Sequence, residues 1–170
     1  LGHLAAAPAV GAAITALWFS YRPLKTRVGV KMLASVVVFG LATMVFGATA
    51  FLPAPWGMAV ALVAMMIWGS ADMFSVFVRQ TLVQVYTPDE MRGRVGSVSQ
   101  LSISASNELG EAESGFLAAL IGPVAAVILG GAGAIIVTLL WSRLYPELRL
   151  ARTFDPPDMP TAETGKESRI

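Results

Sequence analysis

RQTLVQVYTPDEMRGRV, residues 79–95, is a polar, charged stretch set between two long apolar runs. Thr87-Pro88-Asp89-Glu90 reads as a helix start, with Thr87 as N-cap, Pro88 at the first helical position and two acids in the first turn. Arg92, Gly93 and Arg94 follow directly, and the chain then turns apolar again. A short basic turn between hydrophobic runs belongs on the aqueous side of a membrane, on the face where cations are retained.

The composition agrees. The chain has 170 residues, of which 55% are hydrophobic and only 14% charged. Its mean hydropathy is +0.67. Soluble domains carry about 25% charged residues. Here the charges are few and lie mostly in the gaps between apolar runs, which is the membrane pattern. A net charge of +1 gives no reason to expect nucleic acid as a partner. With no cysteine and a single histidine, His3, thiolate or multi-histidine metal sites are excluded, and no metal or other cofactor is expected.

Working outward, five apolar runs emerge, at about 4–21, 32–52, 56–78, 95–121 and 124–145. The first contains Pro8, either a kink or the start of the helix proper, and ends in the aromatic cluster Trp18-Phe19-Ser20-Tyr21. Between the first two runs lie Arg22, Lys25, Arg27 and Lys31, with no acid among them. Positive clusters at 22–31, 79–94 and 143–152 are each separated by two runs, and the turns at 52–56 and 121–123 are uncharged. Five membrane spans with every cluster in the cytoplasm satisfy this alternation. Parity then puts Leu1 outside. A start that is neither Met nor charged points to further chain upstream. The bundle is expected over 1–152, with 153–170, rich in Pro, Thr, Glu and Lys, as a disordered cytoplasmic tail.

The fourth run is the unusual one. It carries Gln100, Asn107, Glu108, Glu111 and Glu113 with several serines, and a carboxylate at the bilayer centre costs about 2.5–3.5 kcal/mol. At 100° per residue, Val98, Leu101, Ala105, Leu109, Ala112 and Phe116 form an apolar stripe. Ser97, Gln100, Ser104, Glu108, Glu111 and Gly115 form a polar stripe beside it. Glu108 and Glu111 therefore point the same way, toward a protein interior or water-filled cavity. The expectation is that they line a solute path, attract a cation or take up a proton, while Glu113 is structural. The competing reading is that both acids merely bond neighbouring helices. In the third run Asp72 and Arg79 share a face, and gating or a structural ion pair fits them equally. Gln80 and Gln84 read as solvated. Trp18, Trp56 and Trp141 read as interface anchors, Trp68 as deep enough to face a cavity, and Gly40, Gly47 and 130–133 as close-packing surfaces.

Four stretches together resemble the C-terminal half of a major facilitator superfamily transporter, in its enterobactin-exporter-like and multidrug-efflux-like branch. They are residues 2–11 (GHLAAAPAVG), 87–95 (TPDEMRGRV), 106–115 (SNELGEAESG) and Gly122-Pro123 before a Gly-rich last run, with Pro146-Glu-Leu-Arg149 closing the match. The resemblance implies an all-α membrane protein with twelve spans, of which these are spans eight to twelve, a partial six-helix bundle. It also implies an absent N-terminal half. Arg22, Lys25, Arg27 and Gly29 then occupy the place of the family's basic gating loop, in a reduced form without its acid. Arg79, Asp89, Arg92, Gly93 and Arg94 form the next cytoplasmic loop.

The expected function is part of a secondary active exporter in the plasma (inner) membrane. It would move a small amphiphilic solute, siderophore-like or drug-like, driven by protons through alternating access. Its expected partners are the lipid bilayer, the small-molecule substrate, protons and the missing N-terminal half. The alternative is a non-transporting scaffold subunit that packs against a partner. An intramembrane protease is disfavoured: Ser114-Gly115 lacks a nucleophile-elbow glycine, and Asp72 is the only aspartate inside a run.

Overall fold

The computed structural model describes residues 2–21 and 28–145. Within them lie α1 (Gly2–Tyr21), α2 (Val28–Ala48), α3 (Ala54–Val85), α4 (Arg92–Ile121) and α5 (Pro123–Leu144), all α-helices. Single 3₁₀ turns, Thr49–Phe51 and Asp89–Met91, precede α3 and α4. α1, α2, α3 and α5 are long and apolar enough to cross a membrane, whereas α4 has the length but not the composition. Segment 22–27 and residues 146–170, including the expected loop cations Arg22, Lys25 and Arg27 and the tail, lie outside the described residues.

The helices stop where backbone chemistry stops them, not where hydropathy falls. α3 runs 32 residues, about 48 Å at 1.5 Å per residue, and continues past the apolar run at 56–78 to Val85. Pro88 ends it, because proline restricts the residue before it and has no N–H to continue the ladder. α2 already includes Val28–Lys31, ahead of the apolar run at 32, since Lys31 is polar but no helix breaker. Pro8 lies inside α1, which is continuous around it. Gly122 has φ +87°, a left-handed conformation suited to glycine, and Pro123 opens α5 directly after it. Thr87 does not cap: its hydroxyl donates to the Val83 carbonyl, and the acids occupy the 3₁₀ turn before α4. The α3 carbonyls compete successfully for that hydroxyl because α3 extends to meet it.

Small residues bring the helices together. A Cβ on Gly11 would lie 1.9 Å from the Met66 carbonyl oxygen, and one on Gly69 would lie 2.1 Å from that of Pro8. α1 and α3 therefore touch backbone to backbone, and Ser70 Oγ donates to the Gly11 carbonyl at 2.9 Å. α2 and α5 meet through Gly40 and Gly131, where a Cβ on either would come within 2.7 Å of the other's carbonyl oxygen. Val28 and Val78 are the largest fully buried side chains. Lipid gives no hydrophobic drive between helices, so close van der Waals approach carries the association. Large apolar side chains such as Ile14, Leu41, Val63 and Leu139 remain exposed, as lipid permits and water does not. The glycine expectation holds at Gly40, Gly47 and Gly131 but not at Gly130 or Gly133, which face open space.

These contacts fix direction. Gly11 meets Ser70 and Phe19 stacks on Phe77 at 4.7 Å, so α1 and α3 run parallel. Gly40 meets Gly131 and Gly47 meets Val124, so α2 and α5 are antiparallel. Phe39 packs against Trp68 in a tilted arrangement at 4.9 Å while Thr49 meets Gly57, so α2 and α3 are antiparallel. Trp68 thus fills a helix–helix contact. α1, α3 and α5 all finish at one end of the bundle, and α4 must carry the chain back across its full height. Lys31, Arg79, Arg92, Arg94 and Arg143 gather at that one end. Trp56 is exposed near one rim, Trp18 and Trp141 near the other, as interface anchors require.

Gly11→Ala and Gly40→Ala should each lower the stability of the purified protein by about 1–3 kcal/mol through forced helix separation. Gly133→Ala should leave it unchanged or raise it slightly. Melting temperatures in one detergent compare the three; an equal effect at all three positions would refute the backbone contacts.

Candidate functional site

α4 positions the acids. None of its residues is buried, and it leans mainly on α5, with a smaller contact to α3. Of its six half-buried residues, Val95, Ser99, Ile103, Gly110 and Leu117 share one side, where it meets its neighbours, and Ala118 lies beside them. Glu108 and Glu111 centre about 145° away from that side at 100° per residue. The apolar stripe, with Leu101 at 71% and Phe116 at 68% exposure, forms a third face. The described helices thus leave the polar stripe uncovered: Gln100, Asn107, Glu108 and Glu111 are all exposed. From Gln100 to Glu111 it extends about 16 Å along the axis. Ser97 and Ser102 donate back to the Gly93 and Val98 carbonyls, at 2.9 Å each, so their hydroxyls are satisfied within the helix.

At the basic end, the extension of α3 meets the start of α4 in a polar cleft of about 170 Å³. Arg79, Gln80 and Gln84 face Ser99 and Gln100 across it. Gln80 and Gln84 are exposed, as read from sequence, and also line this cleft. The cleft exists because α3 outlasts its apolar run, a signal that hydropathy conceals and Pro88 would have revealed. Its pairing also sets the height of the remaining groups. Asp72 is seven residues from Arg79, and Asn107 is seven from Gln100, so both lie about 10 Å further from the basic end. Asp72, Asn107 and Glu108 therefore share a level.

Asp72 and Arg79 form no ion pair with each other. Among the described residues the ion pair is Asp89–Arg92, at 2.7 Å, with both side chains largely exposed. It ties the 3₁₀ turn to the first turn of α4. Gly93 and Gly96 have nothing within 4 Å of where a Cβ would be, so no contact among the described residues demands glycine in Arg92-Gly93-Arg94, which forms the first turn of α4 rather than a loop. Arg94 is exposed beside them. Neither Arg22 nor Arg27, the other expected gating residues, is among the described residues.

With this geometry in hand, similarity to known proteins becomes specific. The chain is 36% identical over 160 residues to the enterobactin exporter EntS of Citrobacter koseri, covering 94% of this chain. It is 35% identical over 156 residues, 92% of the chain, to EntS of Salmonella typhimurium. EntS of Escherichia coli is 32% identical over 164 residues, 96% of the chain. This similarity supports an enterobactin-exporter-like fragment of the major facilitator superfamily. It spans 36–38% of the length of these relatives. No family model and no solved structure matches it. The segment has an integral, multi-pass, all-α membrane fold, as read from the runs, and the relatives it matches are transporters.

Asp89→Asn should change unfolding free energy by about 0.5 kcal/mol or less, because so exposed a pair gains little. Chemical denaturation of the wild-type and variant proteins measures this. A loss several times larger would mean that the turn is held by its ion pair.

Proposed function

We propose that this chain is the C-terminal part of a secondary active exporter in the inner membrane, comprising spans eight to twelve. The whole protein would move a small amphiphilic solute, siderophore-like or drug-like, outward in exchange for protons by alternating access. The carrying observation is the polar stripe of α4. Gln100, Asn107, Glu108 and Glu111 stand exposed on a helix that connectivity forces across the bundle, level with Asp72 on α3. Carboxylates at membrane depth are costly and persist where they face water or another protein surface. An N-terminal half seated on this side would complete a path between two repeats. Glu108 and Glu111 would exchange the proton, with Asn107, Gln100 and Asp72 along the solute path. Arg79, Asp89, Arg92, Gly93 and Arg94 would gate its cytoplasmic end together with Arg22 and Arg27. The names of the relatives support the siderophore class.

In the full-length protein reconstituted in vesicles, a Glu108→Gln/Glu111→Gln double variant should lose at least about tenfold of pH-gradient-driven solute movement, equivalent to 1.4 kcal/mol, while still inserting normally. Unchanged proton dependence would end the coupling assignment.

The basic end is assigned to the cytoplasm by the retention of cations there. A cysteine at Arg94, in a background with other cysteines removed, should react with an impermeant maleimide only after cells are opened. Labelling in intact cells would invert the topology.

A further inference from the structure

A groove runs along the crevice between α2 and α3. Near the uncharged end it is lined by Val38, Leu41, Val45, Trp56 and Val63, without a polar residue, and encloses about 440 Å³. Val38 and Ile67 continue it into a second segment of about 400 Å³, lined also by Lys31, Ser35, Ser70 and Phe74. Lys31, Thr15 and Phe74 continue that into a third, which opens beside Trp18 at the basic end. Each segment has the volume of a small-molecule site. From Lys31 to Val45 the groove is about 21 Å long, against a hydrocarbon core of about 30 Å.

The groove faces away from the bundle. On α2, Gly40 carries the α5 contact, and Val38 lies 200° from it at 100° per residue. On α3, Asp72 lies 200° from Phe74, so the acid of that helix points elsewhere. The hydroxyls along the walls are already bonded within the protein. Ser70 and Thr15 both donate to the Gly11 carbonyl, at 2.9 and 3.2 Å, and Ser35 donates to Met32 at 2.7 Å. Lys31 is the one charged residue in the lining, and it makes no ion pair within the described residues. It lies one turn from Val28, the first described residue of α2, at the basic end of the bundle.

A greasy slot open to lipid, with a single unpaired cation at its interfacial end, is complementary to an anionic amphiphile. We propose that the α2–α3 groove is a binding site for an anionic phospholipid of the leaflet at the basic end. The phosphate bonds Lys31 beside Trp18, and an acyl chain lies along Phe74, Ile67, Val38 and Val63 toward Trp56. The site is independent of the solute path, which the polar stripe of α4 would line, and so it stands or falls apart from the transport reading.

The test uses the full-length protein in neutral detergent, with dioleoyl-phosphatidylglycerol and dioleoyl-phosphatidylcholine as probes and native mass spectrometry counting bound lipid. Phosphatidylglycerol should be retained about fivefold over phosphatidylcholine, the effect of one lysine near a lipid phosphate. Lys31→Gln should remove that preference and Lys31→Arg should keep it. Ala59→Phe, which fills the exposed wall of the groove, should reduce binding of both lipids. A photo-crosslinking residue at Val63 gives an independent readout in membranes. A lipid adduct supports the site, whereas a crosslink to an upstream segment of the same protein shows that protein fills the groove and overturns it. Equal retention of the two lipids by the wild type, or an undiminished preference in Lys31→Gln, also overturns it.

Discussion

Close approach of helix backbones is the constraint on which this structure depends. In lipid, apolar side chains gain nothing by leaving their solvent, so helices associate where their shapes let many atoms touch. Gly11 against Met66, Gly69 against Pro8, and Gly40 against Gly131 supply those places. The hydroxyls beside them follow the second rule of the membrane interior, that polar groups be satisfied by the protein itself. Ser70 bonds across to α1, while Thr43 and Thr138 bond back to their own helices at 2.9 and 2.7 Å. Among the described residues no buried polar side-chain atom lacks a partner.

α4 is the exception that those contacts make possible. The glycine contacts and stacked rings set α1, α3 and α5 in one direction, and the chain must return through α4 whatever its polarity. A helix placed by connectivity can carry side chains that its own insertion energetics would reject, if something else covers them. The four other helices do not cover them. They leave the face with Glu108 and Glu111 open and hold Asp72 at the same height. The Arg79–Gln100 cleft lies toward the basic end. The polar stripe thus has the geometry of half an interface.

The α2–α3 crevice is the opposite case. Its walls are apolar, its hydroxyls are bonded inward, and it opens away from α5. One chain therefore presents two unlike surfaces, a polar face that wants protein or water and an apolar slot that wants an acyl chain. Their separation follows from α3, which turns Asp72 and Arg79 to one side and Ile67 and Phe74 to the other.

Local properties of the sequence determined the helices, the segregation of cations to one end, the polarity of α4 and the turn at Gly122-Pro123. Each depends on composition, spacing or a single backbone restriction, so each is readable along the chain. The acids of the candidate site were legible for the same reason: a charge in an apolar run needs no partner to be conspicuous. Only the tertiary structure decided that Gly131 rather than Gly130 or Gly133 carries a contact, that Trp68 packs against Phe39, that Thr87 bonds to Val83, and that Gln80 and Gln84 line a cleft with Gln100. It alone assembled the Lys31 groove from three helices. These outcomes depend on the fit between surfaces distant in sequence, and hydropathy and periodicity, which are properties of one segment at a time, do not encode which surfaces meet.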